Sequence, residues 1–328
     1  MDPLTDFLAG PRARSAFVLR CLLDPPWSVR IEDEAPLGVV VMLRGSAWLQ
    51  LLGPAGAAAS VDPVPVRTGD ILIVRGPDHY VFADDLATPP QIVIHPGEVC
   101  TTVDGAPLHE AMSLGVRTWG NSATGRTLFL AGTYLTDGEV SRMLLDALPP
   151  AVVVPVTDPQ RPILEMLTNE AGREEAGQQV VLDRLLDLML IGALRTAFAE
   201  GRVDVPAWFR AAADPVVGTA IRRMQDDPAQ PWTVASLAAA AGVSRALLAR
   251  RFTQLVGEPP LTFLTSWRMA LAADRLVEPG TTVSAVAREV GYSSPFTFST
   301  AFKRHHGASP RAYRDRSVRG AGAQAAQP

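Results

Sequence analysis

Residues 245–250 read RALLAR, and fifty positions further on residues 295–300 read PFTFST, followed by AFKRHH. In the first stretch Arg245 and Arg250 flank Ala246 and Ala249. In the second, Pro295, Phe296, Thr297, Ser299 and Thr300 precede Lys303. An arginine fork can hold a guanine edge or a phosphate, and a threonine methyl or a phenylalanine edge can touch a thymine methyl. Such contacts work only if rigid elements aim these side chains outward. The flanking sequence must supply those elements.

It supplies them twice. VASLAAAAGVS (234–244) superposes on VSAVAREVGYS (283–293) at an offset of 49: Val234 on Val283, Leu237 on Val286, Ala238 on Ala287, Gly242 on Gly291. After the turn the offset is 50, with Leu248 on Phe298, Phe252 on Phe302, Gly257 on Gly307 and Pro260 on Pro310. Each copy predicts helix, glycine turn, helix. Thr233, Ser244 and Ser294 are N-caps, Pro295 is a first-turn proline, and Gly257 and Gly307 are stops. Small Ala238 and Ala287 let the paired helices approach. This is the helix-turn-helix layout, whose second helix enters a major groove. Leu248, Phe252 and Leu255 are expected inside in the first copy, and Phe298, Ala301 and Phe302 in the second. Between the copies, PPLTFLTSWRMALAADRLVEPG predicts one long helix able to space the two reading helices. Two copies are too few for a solenoid.

Charge agrees. Residues 213–328 hold 14 basic and 8 acidic side chains, net +6. The preceding 212 hold 16 and 26, net −10. The basic part suits phosphate.

The rest of the chain is of another kind. AFVLRCLL, GVVVML, SAWLQLL, DILIV, QIVIH and TLFLAGTYL are short apolar or alternating runs between turn residues. They predict an antiparallel sandwich or barrel. LLGPAGAAASVDP and SLGVRTWGNSATGRT read as loops. Helices are expected at EVSRMLLDALP, RPILEMLTNEAG and QQVVLDRLLDLMLIGALRTAFAEG. The last carries an apolar stripe wide enough for packing on the sheet and on a partner subunit, or for an ordinary buried helix. VDVPAWFRAAAD reads as a linker. No apolar run spans a membrane and no signal peptide opens the chain. Two cysteines, Cys21 and Cys100, are too few for a disulfide framework, so a cytoplasmic location is expected.

Residues 213–316 resemble the DNA-binding domain of the AraC/XylS family of bacterial transcription regulators. The paired units, SWRMALAADRL, and VAREVGYSS..FTFSTAFKRHHGASPRAYR carry the resemblance. It implies that Ala246, Ala249 and Arg250 meet bases, and the buried stripe leaves Arg245 facing outward beside them. It implies that Pro295, Phe296, Ser299 and Thr300 lie on the matching surface, flanked by Thr297 and Lys303. The family usually has arginine where Thr300 stands, so the second helix is expected to hold backbone weakly while the first reads most of the specificity. PPWSVRI, MLRGSAWLQ, RTGDILIVRGPDHYVFAD and LLDALPP are similar to a cupin-like sensor domain of the same family. The implied architecture is a cupin-like barrel at 1–150, dimerisation helices and linker at 151–212, the DNA-binding domain at 213–316 and a disordered tail at 317–328.

His79 sits where cupins often place a metal ligand. Catalytic cupins also need a histidine pair on an earlier strand, and GVVVMLRG has none. His95, Cys100 and His109 follow no ligand spacing, so no metal and no cofactor are expected. Trp48, His79 and Phe82, with Trp27, are candidates to line an effector pocket, or to fill the core. His305 and His306, at a helix C-terminus, suit a dipole or a nearby phosphate. The expected partners are double-stranded DNA, a second copy of the chain, a small-molecule effector and, for an activator, RNA polymerase. Two rivals are a cupin metalloenzyme carrying a DNA-binding domain, and a regulator whose barrel binds no small ligand. No GxSxG, P-loop or dinucleotide signature supports an enzyme.

Overall fold

The computed structural model describes residues 17–53, 61–134, 145, 148–203, 206–278 and 280–316. The helix expected at EVSRMLLDALP and the tail at 317–328 lie mostly or wholly outside the described residues. The chain forms two compact units, one ending near residue 204 and one beginning near 205.

The first unit holds thirteen strands among its described residues: β1 Phe17–Leu23, β2 Ser28–Ile31, β3 Leu37–Arg44, β4 Ser46–Leu51, β5 Val64–Arg67, β6 Asp70–Arg75, β7 Tyr80–Ala83, β8 Ile92–His95, β9 Val99–Thr102, β10 Ser113–Gly115, β11 Thr118–Gly120, β12 Thr127–Tyr134 and β13 Ala151–Pro155. Hydrogen bonding groups them into a seven-stranded sheet, β10-β11-β1-β12-β3-β6-β13, and a six-stranded sheet, β5-β4-β7-β2-β8-β9. Three details differ from the sequence expectations. SLGVRTWGNSATGRT contains β10 and β11 rather than only loop. Pairing is antiparallel except for β1 with β11 and β2 with β8, which run parallel. Long intervening chain permits that, whereas a tight hairpin would forbid it. The sheet also continues past residue 150, because β13 adds AVVVP beside β6.

The burial patterns show what covers each sheet. β4 alternates, with Ala47, Leu49 and Leu51 buried and Ser46 and Trp48 exposed, as in a sheet wet on one side. β3 is buried from Leu37 through Met42 with no alternation. Its inner residues Val40 and Met42 join the core, together with Trp27, Phe82 and Phe129. These three rings touch with centroids 5.3–5.9 Å apart.

Helices cover part of the outer face of the seven-stranded sheet. These are α1 (Arg161–Ala171) and α2 (Gln178–Ala199). Gly132 of β12 leaves room for α2, since a Cβ there would lie 2.7 Å from the Leu186 side chain. Tyr134 donates its hydroxyl to Asp187 at 3.3 Å. Arg117, in the β10–β11 turn, donates to Gln178 at 3.1 Å and to Gln179 at 2.5 Å. Leu182, Leu186, Met189 and Ala193 are buried on this face, while Val181, Arg184 and Leu188 remain exposed on another.

Candidate nucleic-acid interface

The second unit is all helical among its described residues: α3 Ala207–Ala211, α4 Val217–Asp226, α5 Val234–Ala240, α6 Arg245–Val256, α7 Pro260–Val277, α8 Val283–Glu289, α9 Pro295–His306 and α10 at 310–316. VDVPAWFRAAAD is therefore not only a linker. It contains α3, whose Trp208 packs in the core of the first helix-turn-helix. The unit accordingly begins before residue 213. The WF pair was the available signal, since two adjacent aromatics seldom serve a solvated linker.

Each reading helix is started and stopped by its own residues. Thr233 accepts from the Ser236 amide at 3.0 Å, forming a capping box that starts α5. Gly242 turns the chain at φ +67°. Ser244 accepts from Leu247 at 3.3 Å and starts α6. In the second unit Thr282 accepts from Ala285 at 3.1 Å, Gly291 turns at φ +79°, and Ser294 accepts from Phe296 at 3.2 Å. Each cap satisfies an amide that the helix itself cannot. Gly257 and Gly307, both left-handed, end α6 and α9.

The buried stripes set the outward faces. Leu248 and Phe252 are fully buried with Leu237, Ala238, Phe263 and Leu264. Leu255 is 37% exposed, not part of that stripe. The inner face runs i, i+4, i+8 and ends on Val256 instead. Phe298 and Phe302 are fully buried against Met269, Ala272, Ala273 and Leu276, with Ala301 packed beside them. His306 closes this core rather than facing phosphate: its Nε2 lies 3.2 Å from the Met269 carbonyl and its ring packs at a tilt against Phe302, centroids 4.4 Å apart.

What remains outward differs between the units. On α6, Arg245, Ala246 and Arg250 are exposed and Ala249 is half-buried. Among the described residues Arg245 and Arg250 make no hydrogen bond or ion pair, so both guanidinium forks are open to a ligand. Arg251 is not open. It donates to Asp214 at 2.5 and 2.9 Å. Asp214 also accepts from the Val216 and Val217 amides. The Arg251 hydrogen bond, helped by these amides, holds the Asp214 carboxyl below the usual carboxylate range. On α9, Pro295, Phe296, Thr297, Thr300 and Lys303 are exposed and Ser299 is half-buried. Phe296, Ser299, Thr300, Lys303, Arg304 and Ser309 line one shallow open groove.

One helix positions both units. The first half of α7 gives Phe263 and Leu264 to the first core, and its second half gives Met269 to Leu276 to the second. Midway, Arg268 donates to the Pro228 carbonyl at 2.7 Å and the Gln230 carbonyl at 2.8 Å. Gly291, in the turn of the second unit, meets the same loop, where a Cβ would stand 2.6 Å from the Ala229 carbonyl oxygen. The loop at 228–230 is thus pinned by the connector and abutted by the second turn. Neither contact was legible beforehand, although an arginine inside an apolar helical run signals a need for acceptors.

The barrel candidates do not converge. Phe82 is 4% exposed within the ring cluster. Trp48 neighbours Leu49, the register partner of Phe82, and so projects from the opposite face of its sheet. His79 is half-buried near Asp33, whose carboxyl is raised by burial and partly lowered by the Ala35 amide and by His79. His95 meets Thr101 at 3.0 Å and lies 4.0 Å from Glu32, and His109 is exposed. Burial pushes the Cys100 thiol up to about 11, away from a reactive thiolate. Among the described residues no three His, Cys, Asp or Glu side chains cluster as metal ligands.

Comparison with known proteins places both units. A cupin family model matches residues 2–199, and a helix-turn-helix domain model matches residues 237–316. A putative AraC-like transcription regulator of Streptomyces lividans is 32% identical over 96% of this chain and 98% of its own. The transcriptional regulator AlkR of Acinetobacter baylyi is 28% identical over 97% of this chain and all of its own. Among solved structures, the DNA-binding domain of AdpA in complex with a target DNA is 34% identical. It covers 32% of this chain and 93% of its own, with a TM-score of 0.30.

Proposed function

Since the chain belongs to the AraC-like transcription regulators, and is a DNA-binding regulator carrying an N-terminal cupin domain, we propose that it acts in the cytoplasm as an effector-responsive homodimer. Each protomer reads two successive major grooves through α6 and α9. The observation that carries this is the shared connector: α7, about 27 Å long at 1.5 Å per residue, is packed into both cores and pinned midway by Arg268. A connector held in this way favours a fixed distance between two reading helices, as neighbouring grooves about 34 Å apart require.

Within this proposal Arg245, Ala246, Ala249 and Arg250 form the first reading surface, with Arg250 as the base-reading fork. Pro295, Phe296, Thr297, Ser299, Thr300 and Lys303 form the second. The exposed Val181, Arg184 and Leu188 of α2 face the partner protomer, and the cupin domain biases how the DNA-binding units are presented. An effector does this by binding one arrangement better than another. RNA polymerase is a further partner if the regulator activates. Among the described residues no helix is long and apolar enough to cross a membrane.

The test is to pass sheared genomic DNA over the purified protein and sequence what is retained. A few sites, each with two half-motifs about one helical turn apart per protomer, are expected. Diffuse, salt-sensitive retention without a motif would reject the two-groove reading. Leu188→Asp should shift the sedimenting species from dimer to monomer, and an unchanged dimer would remove α2 from the interface.

A further inference from the structure

The outward stripe of α9 recurs at helical spacing: Phe296, then Ser299 and Thr300, then Lys303 and Arg304. Its polar groups are less available than their names suggest. Ser299 donates its hydroxyl to the Pro295 carbonyl at 2.7 Å, and Thr300 donates to the Phe296 carbonyl at 3.1 Å. Both protons are thus used inside the helix, which leaves the threonine methyl as the distinctive outward group at 300. One turn earlier Phe296 is 82% exposed, the most exposed large apolar side chain among the described residues. Its backbone is set by the Ser294 cap and by Pro295, so the ring is presented by a rigid helix start. A ring with two rotatable bonds loses little conformational freedom on docking.

The major-groove edge offers donors, acceptors and one apolar group, the C5-methyl of thymine. We propose that α9 recognises a thymine through that methyl, held between the Phe296 ring and the Thr300 methyl. Lys303 and Arg304, one turn on, take the adjoining phosphates. This rests on the DNA-binding reading above and adds its chemistry. The recognition sequence is asymmetric, with a guanine-bearing half under α6, where Arg250 occupies the position matching Thr300, and a thymine-bearing half under α9.

The experiment uses the full-length protein and a duplex recovered by the genomic selection. Each thymine in the half-site under α9 is replaced singly by uracil, which removes only the methyl. One replacement is expected to weaken wild-type binding about fourfold, the worth of one buried methyl group. Phe296→Ala should bind more weakly and be indifferent to that replacement, while Phe296→Leu should keep the sensitivity. If no replacement changes wild-type affinity, or if Phe296→Ala loses as much as wild type, the thymine contact is wrong. If the wild-type protein holds no duplex specifically, both this contact and the two-groove reading beneath it fall. That result differs from a flat uracil series on a duplex that is bound.

Discussion

The two helix-turn-helix units have the same frame and opposite faces. Thr233 and Thr282 start their first helices, Ser244 and Ser294 start their reading helices, and Gly257 and Gly307 end them. Leu248 and Phe252 fill the positions of Phe298 and Phe302. Outside, size is inverted. The first unit has small Ala246 and long Arg250 where the second has bulky Phe296 and short Thr300. Arg251, tied to Asp214 in the first unit, stands where the second has Ala301. Frame positions are constrained by capping and packing, which any helix of this kind needs. Face positions are constrained only by what they touch, so two copies can diverge there, and under the proposed function the divergence lets them read different bases.

The largest effect on this comparison should come from removing what joins the units. Arg268→Ala deprives the Pro228 and Gln230 carbonyls of a charged donor. It should lower the stability of the DNA-binding unit by about 1.5–3 kcal/mol. Affinity for a two-half-site duplex should fall more than affinity for either half alone, measured by anisotropy on both duplexes. Equal losses would show that the clamp stabilises without spacing.

Next is Arg250→Ala, expected to weaken specific binding by about 1–3 kcal/mol and to relax preference at one base pair under α6. Thr300→Ala should change preference far less. Parity between the two would erase the asymmetry of the faces. Thr300→Arg should then make the units more alike. It should tighten binding mainly through phosphate and steepen the salt slope by about one. An unchanged slope would place residue 300 away from the backbone.

The smallest effect concerns Asp214. Its folded pKa is depressed below the ordinary carboxylate value by Arg251 and two amides. Its contribution is therefore full above that ordinary value, near pH 4, and is lost as pH falls through the folded pKa. Asp214→Asn should destabilise the protein slightly at neutral pH, and the difference from wild type should shrink in acid. A difference independent of pH would show that the side chain acts as a cap alone.

By itself the sequence determined the local elements. Hydroxyl caps, glycine stops and first-turn prolines act over three or four residues, so the repeat at 234–316 and its reading helices could be placed without coordinates. So could α1, α2 and the longer strands, whose apolar periods are local as well. The strands inside SLGVRTWGNSATGRT could not, because three-residue strands bear no period and exist only through partners such as β1. Tertiary structure alone decided which candidates meet. It separated Trp48 from Phe82 by the pleat of one sheet, turned Leu255 outward, and drew Trp208 into the first core. It joined Arg268 to a loop forty residues away and spent the protons of Ser299 and Thr300 on their own helix. The physical reason is common to all of these. A cap or a period is satisfied by near neighbours, whereas the availability of a donor, a ring or a cavity depends on what the rest of the chain brings against it.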